Sequence, residues 1–232
     1  MKNKLYQLFK DNVNKGKGIY SEIKEDSADI YLYDAIGGLF GVEAKTFIDE
    51  LNSLEAENIN LHINSPGGDV FEARAIATAL QKCKANVTAH IDGVCASAAT
   101  YIALACNQVE MAEGGFFMIH NAWTIAIGNA DDFIELASLL EKVDGAIVRD
   151  YEKKTGLKQE DIKEMMAAET WLTADEAKEK GFIDSIYTGE ALENQWTLDA
   201  YDNAPEKLVN KQEENYDRER FEKRLNLLEK KY

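Results

Sequence analysis

Proline is almost absent from this 232-residue chain, which has only Pro66 and Pro205. Cysteine is scarce too, with Cys83, Cys95 and Cys106 alone. An odd, sparse set in apolar stretches, at no metal-ligand spacing, argues against a disulfide framework and a metal site. It suits reduced thiols and a cytoplasmic setting. No uninterrupted apolar run approaches the roughly 18 residues of a membrane span. The N-terminal stretch MKNKLYQLFKDNVNKGKG lacks the apolar centre of a secretory signal. Basic residues are outnumbered, 26 Lys and Arg against 42 Asp and Glu, for a formal net charge of −16. Such a balance repels phosphates, so neither nucleic acid nor an anionic membrane is an expected partner. No G-x-x-x-x-G-K stretch occurs, and no cofactor is expected.

What is present is an alternation of short apolar runs and helical patterns. Strands are expected at 29–33, 59–64, 87–91, within 109–119 and at 182–187. Helices are expected at 41–57, at 69–84 with Phe71, Ala75, Ile76, Ala79, Leu80 and Cys83 inward, and at 96–106, where small apolar residues predict burial all round. The longest helix spans 130–154, with Asn129 as N-cap and Asp131 and Asp132 suited to the positive helix start. Phe133, Leu136, Leu140, Val143, Ile147 and Tyr151 form one stripe on it; Ile134, Leu139 and Val148 form a second. At about 1.5 Å per residue it is on the order of 37 Å long, more than a lone compact domain covers. Shorter helices are expected at 159–167 and 173–180. The alternation predicts an α/β fold with largely parallel strands. Residues 1–28 read as a polar N-terminal segment, 29–189 as the folded domain, and 190–232 as a linker followed by a charged, helical tail from 207.

Chemistry concentrates in three places. The chain spends a proline in SPGG (65–68), directly after a strand and before a helix. GVCASAAT (93–100) repeats that strand-to-helix context, and MIHNAW (118–123) ends a strand on His120. Unpaired N–H groups at helix starts attract developing negative charge, and Gly67 and Gly68 have no Cβ to hold a substrate backbone away. Ser97, His120 and a pair of N–H groups are the parts of acyl-transfer catalysis. Taken singly, each has a plainer reading. A serine at a helix start is usually a cap, SPGG is a turn, and His62 and His90 are satisfied sheet residues. Cys95 is either a thiol nucleophile or buried filler. The G-x-S-x-G elbow is absent.

Together, INSPGGDV, GVCASAAT, MIHNAW and WLTADEAKEKGFIDSI resemble, in order and spacing, the four signature blocks of the Clp protease proteolytic subunit family. That resemblance covers about 29–188. It implies a serine endopeptidase on a crotonase-like (ClpP-like) α/β fold, a spiral of ββα units with a long protruding handle helix. It further implies that Ser97 is the nucleophile and His120 the general base, that the N–H groups of Gly68 and Ala98 form the oxyanion hole, and that the long helix pairs stacked homo-oligomeric rings acting on protein and peptide substrates. Three features depart from the family. Glu169 stands where the third triad member is normally Asp, with Asp161 and Asp175, or a two-residue pair, as alternatives. The N-terminal segment does not resemble the loops that dock ATP-driven unfoldases. The tail is extra. These departures resemble phage-encoded members that cut scaffold and capsid proteins during head maturation without an unfoldase. The competing expectations are a degradative peptidase with an unfoldase, a crotonase-fold acyl-CoA enzyme, and a catalytically degenerate scaffold.

Overall fold

The computed structural model describes residues 8, 12, 15–37, 41–189, 192 and 194–209. The tail expected from 207 onward falls outside the described residues beyond Val209. The described chain runs β1 (Gly18–Ile23), β2 (Ser27–Tyr33), α1 (Ala44–Ser53), β3 (Asn58–Ser65), α2 (Val70–Lys82), β4 (Asn86–Ala96) and α3 (Ala98–Leu104). It continues through β5 (Gln108–Ala112), β6 (Phe116–Ile119), α4 (Ala130–Thr155), α5 (Gln159–Ala167), β7 (Thr170–Thr173), α6 (Ala174–Glu179) and β8 (Ser185–Tyr187). One sheet has the order β1-β2-β3-β4-β5-β8, with β6 joined to β4 and β7 to β6. Neighbours are parallel except β1 with β2 and β6 with β7. The expected α/β alternation holds.

β4 is the pivot. Its first half pairs with β5, from Thr88 opposite Gln108 to Ile91 opposite Met111. Its second half leaves β5 and pairs with β6, from Val94 opposite Phe116 to Ala96 opposite Met118. The sheet therefore forks just before residue 97. Because side chains alternate across a strand, Cys95, Phe117 and Ile119 enter the main core under the helices. Val94, Ala96, Phe116 and Met118 point to the opposite face and need separate cover.

That cover comes from 194–209, which was expected as a linker. Trp196, Leu198, Ala200, Tyr201 and Leu208 are all buried against these four side chains. Trp196 Nε1 donates to Asn64 Oδ1 at 3.0 Å. Asn64 Oδ1 also accepts the Val94 N–H at 3.1 Å, so the segment is tied to the end of β3 and to the fork of β4. The described part of 190–206 is thus a packed layer rather than an open spacer. The apolar face it covers would otherwise meet water.

Other differences are local. β1 arises inside the segment read as a polar N-terminal stretch, because an edge strand exposed on one side carries charged and polar residues. β4 runs five residues further than expected. In α2 the buried face is Ala73, Ile76, Ala77 and Leu80, while Ala75 is exposed and Phe71 turns outward at 65% exposure. α3 is buried from Ala98 to Ala103, as its composition implies. α4 starts on Asn129, whose side chain accepts from Asp131 N and Asp132 N in a capping box. Only Ile147, Val148 and Tyr151 of α4 are fully buried; its N-terminal half stands away from the domain.

Trp196 tests the layer. Losing a buried indole and its hydrogen bond should cost about 3–5 kcal/mol. Trp196→Ala should lower the urea unfolding midpoint accordingly. An unchanged midpoint would mean the segment adds nothing to the fold.

Candidate active site

Ser97 sits between β4 and α3 with φ 53 and ψ −123, a left-handed backbone that a residue with a Cβ adopts at a cost of about 1–3 kcal/mol. Its neighbours hold it there. The Ser97 N–H donates to Met118 O at 2.9 Å, extending the β4–β6 pairing by one residue. The Ser97 carbonyl accepts the Thr100 N–H at 3.0 Å and the Thr100 hydroxyl at 2.6 Å. Thr100 Oγ1 in turn lies 2.7 Å from the hydroxyl of Tyr151 on α4. No side-chain cap bond is made by Ser97, so the plain capping reading does not apply, and the hydroxyl is left for another partner.

That partner is His120, the residue after β6. Ser97 Oγ lies 2.7 Å from His120 Nε2; with the imidazole neutral and its proton on Nδ1, the hydroxyl donates. Because β6 pairs with β4, the same ladder carries both groups to one end of the sheet. Burial holds His120 far below the usual imidazole range, at about 4, and burial is the single cause. The rings around it are Trp123, edge to face at 6.3 Å between centroids, and Tyr201, edge to face at 5.5 Å.

The SPGG turn closes the site. Ile36 N–H donates to Gly67 O at 3.0 Å, and Asp69 N–H donates to Ile36 O at 2.9 Å. This one-residue parallel bridge aims the Gly68 N–H away from Ile36. Gly68 borders the same cleft as Ser97, Ala98 and His120. Among the described residues neither the Gly68 nor the Ala98 N–H has an acceptor. Both glycines are required sterically. A Cβ on Gly68 would lie 2.0 Å from Ile36 O, and one on Gly67 would lie 2.6 Å from Ala96 O and 2.8 Å from Ser97 Cβ. Their φ values, +152 and +89, also disfavour any side chain. The cleft holds about 200 Å³, and its far wall is Leu136, Leu140, Val143 and Ile147 of α4.

Among the described residues the other candidates make no hydrogen bond to this pair. Glu169, at φ 48, borders a shallow depression with His120, but its Oε1 accepts the Asn203 N–H at 2.7 Å and Trp171 Nε1–H at 3.4 Å. Asp161 and Asp175 are exposed in the first turns of α5 and α6. Cys95 is wholly buried, and burial pushes its thiol far above the ordinary range, so it is filler. His62 and His90 stack on each other at 5.1 Å on adjacent strands; His62 Nδ1 bonds Asp92 Oδ2 at 2.8 Å. Among the described residues no cluster of three His, Cys, Asp or Glu could hold a metal ion, and no helix is long and apolar enough to cross a membrane.

One residue at the site was not singled out from the sequence. Tyr201 meets His120 as above, and its hydroxyl donates to Pro66 O at 2.6 Å. The available signal was the alternation of Trp196, Leu198 and Ala200 just before it, which marks a half-buried extended segment.

Comparison with known proteins bears on the fold and the family. A family model described as Clp protease matches residues 15–190. Among solved structures, a ClpP1 point mutant from Listeria monocytogenes aligns with a TM-score of 0.62 at 25% identity, covering 69% of this chain and 91% of that one. The family match spans every strand from β1 to β8 and stops before Trp196, so with its ClpP-like α/β fold and well over half its length matched, the chain belongs to the Clp protease family.

Proposed function

We propose that the protein is a serine endopeptidase in which Ser97 and His120 act as a pair. Family membership supports serine-type peptidase activity. The observation that carries the residue assignment is the 2.7 Å contact between Ser97 Oγ and His120 Nε2 beside two unpaired N–H groups. A substrate carbonyl carbon is attacked by Ser97 Oγ as His120 Nε2 takes the hydroxyl proton. The negative charge on the carbonyl oxygen is received by the N–H groups of Gly68 and Ala98. His120 returns the proton to the departing amine, the C–N bond breaks, and an acyl-enzyme remains. Water repeats the sequence and frees Ser97. Glu169 is engaged by Asn203 and takes no part in this scheme. The acyl-CoA reading is less well served, since it gives a serine bonded to a histidine no work.

The natural substrates in this proposal are flexible segments of partner proteins, cut without an ATP-driven unfoldase, as in the phage-type members that the sequence resembles. Stacked rings are part of the proposal. Phe133, Ile134 and Leu139 of α4 are 49%, 68% and 46% exposed, and Ile125 and Ile127 just before it are also exposed. Apolar surface of this kind marks an interface.

Four sets of outcomes test this reading. A fluorophosphonate should label the wild-type chain, and Ser97→Ala should abolish labelling and lower peptide turnover by several orders of magnitude. Cys95→Ser should change neither, and Glu169→Gln should stay within about tenfold of wild type; a loss near 10⁴-fold would return Glu169 to the triad. The labelling rate should also be unusually acid-tolerant. A general base works unprotonated, so with His120 held near 4 the rate should persist from pH 7 to about 5 and fall below that. A midpoint near the ordinary 6.5 would contradict an imidazole that desolvation holds neutral. For assembly, Ile134→Asp should shift the mass by light scattering to a smaller species; a folded wild-type monomer at micromolar concentration would overturn the ring proposal.

A further inference from the structure

Tyr201 lies beyond residues 15–190, where the family match ends, yet it meets His120, the Ser97 side chain and the Pro66 carbonyl. It is 5% exposed. Its hydroxyl donates to Pro66 O at 2.6 Å, two residues before the Gly68 donor. That turn is built on two glycines with left-handed φ values, so local chain stiffness does not hold it. The Ile36 bridge fixes one side of Gly68, and the hydrogen bond to the Pro66 carbonyl ties down the turn that enters it. The Tyr201 ring stands edge to face on His120, with centroids 5.5 Å apart at 79°, and is braced from behind by Trp171 at 5.6 Å and 75°. Burial first, then the Glu169 carboxylate, pushes the phenol above its ordinary range, offset in part by a contact with the Ser97 side chain. Tyr201 therefore remains a protonated donor throughout the working range.

In a Ser-His-Asp triad a carboxylate on the second imidazole nitrogen fixes the ring. Here the nearby carboxylate, Glu169, is held by the Asn203 N–H at 2.7 Å, while Asn203 Nδ2 donates to Ala168 O at 2.7 Å. The stretch 201–203 thus does two things at once. It lays an aromatic ring on His120, and it keeps Glu169 turned aside. The groups facing His120 are Ser97 at the β4–α3 junction, Trp123 just after β6, Tyr201, and Glu169 and Asp202 across the depression. On α4, Asp144 is held by the Ala122 N–H at 2.7 Å.

We infer that Tyr201 is a positioning residue for this peptidase, its hydroxyl orienting the Pro66–Gly68 oxyanion turn and its ring holding His120 against Ser97 in place of a triad acid. The inference rests on the serine-peptidase reading for its kinetic part but not for its structural part. The two contacts separate by substitution. Tyr201→Phe removes the Pro66 bond and keeps the ring; Tyr201→Ala removes both.

The test uses the full chain and two readouts. One is hydrolysis of a short chromogenic peptide. The other is NMR titration of the imidazoles, tractable because the chain has only three histidines. Tyr201→Phe should lower kcat roughly 10- to 100-fold with KM within about twofold, since an interaction used in the transition state is lost, and should leave the His120 pKa near its wild-type position. Tyr201→Ala should lower kcat further and move the His120 pKa upward by more than one pH unit, because water reaches the ring. Wild-type kcat in both variants, or a change in KM alone, would overturn the inference. So would an unmoved His120 titration in a folded Tyr201→Ala. Should the alanine variant fail to fold, the phenylalanine variant decides, and wild-type kcat there removes the hydroxyl's role. A wild-type chain that neither cleaves peptide nor takes up fluorophosphonate refutes the peptidase reading. The His120 titration then still reports on the ring contact alone.

Discussion

The site depends on one strained residue. Ser97 holds a left-handed backbone at the point where β4 stops and α3 begins. This turns the hydroxyl out of the strand and leaves the next amide, that of Ala98, without a partner. The conformation persists because surrounding structure over-determines it: the bond to Met118 O, the two bonds from Thr100, and the close packing of Gly67 against Ala96 O and Ser97 Cβ. Each of these reaches a different element. β6 brings His120 with it, the SPGG turn brings Gly68, and Thr100 links through its hydroxyl to Tyr151 of α4. Strain at one residue and the gathering of the other parts are therefore one arrangement.

The electrostatic consequence is a histidine held in its neutral form. A carboxylate beside His120 would favour the imidazolium, but burial alone acts on it and favours the neutral form. In the proposed scheme the neutral imidazole accepts the Ser97 proton, and the imidazolium so formed has no hydrogen-bonded carboxylate among the described residues. Under that proposal some transition-state stabilisation is exchanged for tolerance of acid. Two rings screen His120 in part, Trp123 next to β6 and Tyr201 in the C-terminal layer. The layer is there because the fork of β4 leaves Val94, Ala96, Phe116 and Met118 facing away from the main core. Covering an apolar sheet face and shaping the surroundings of His120 are thus served by the same few residues.

Much of this was legible in the chain. Strand and helix periods give the α/β order. Asn129 with Asp132 gives the start of α4, and the composition of 98–103 gives a helix buried on all sides. The blocks around Pro66, Ser97 and His120 can be read because their chemistry demands particular residue types: glycines where a Cβ would collide, a serine at a strand–helix junction, a histidine at a strand end. Sequence alone determined this much, since steric exclusion and hydrophobic period act within a few residues of each other. It did not determine that 194–209 is a packed layer, because an apolar alternation as short as Trp196, Leu198 and Ala200, set among polar residues, does not say which sheet face it covers. Nor did it determine where Glu169 points. Which hydrogen bond a carboxylate accepts is settled by donors more than 30 residues away, and here the backbone of Asn203 reaches it. The outward turn of Phe71 and the burial that lowers His120 belong to the same class. They depend on what packs against a side chain, and only the folded chain brings those neighbours together.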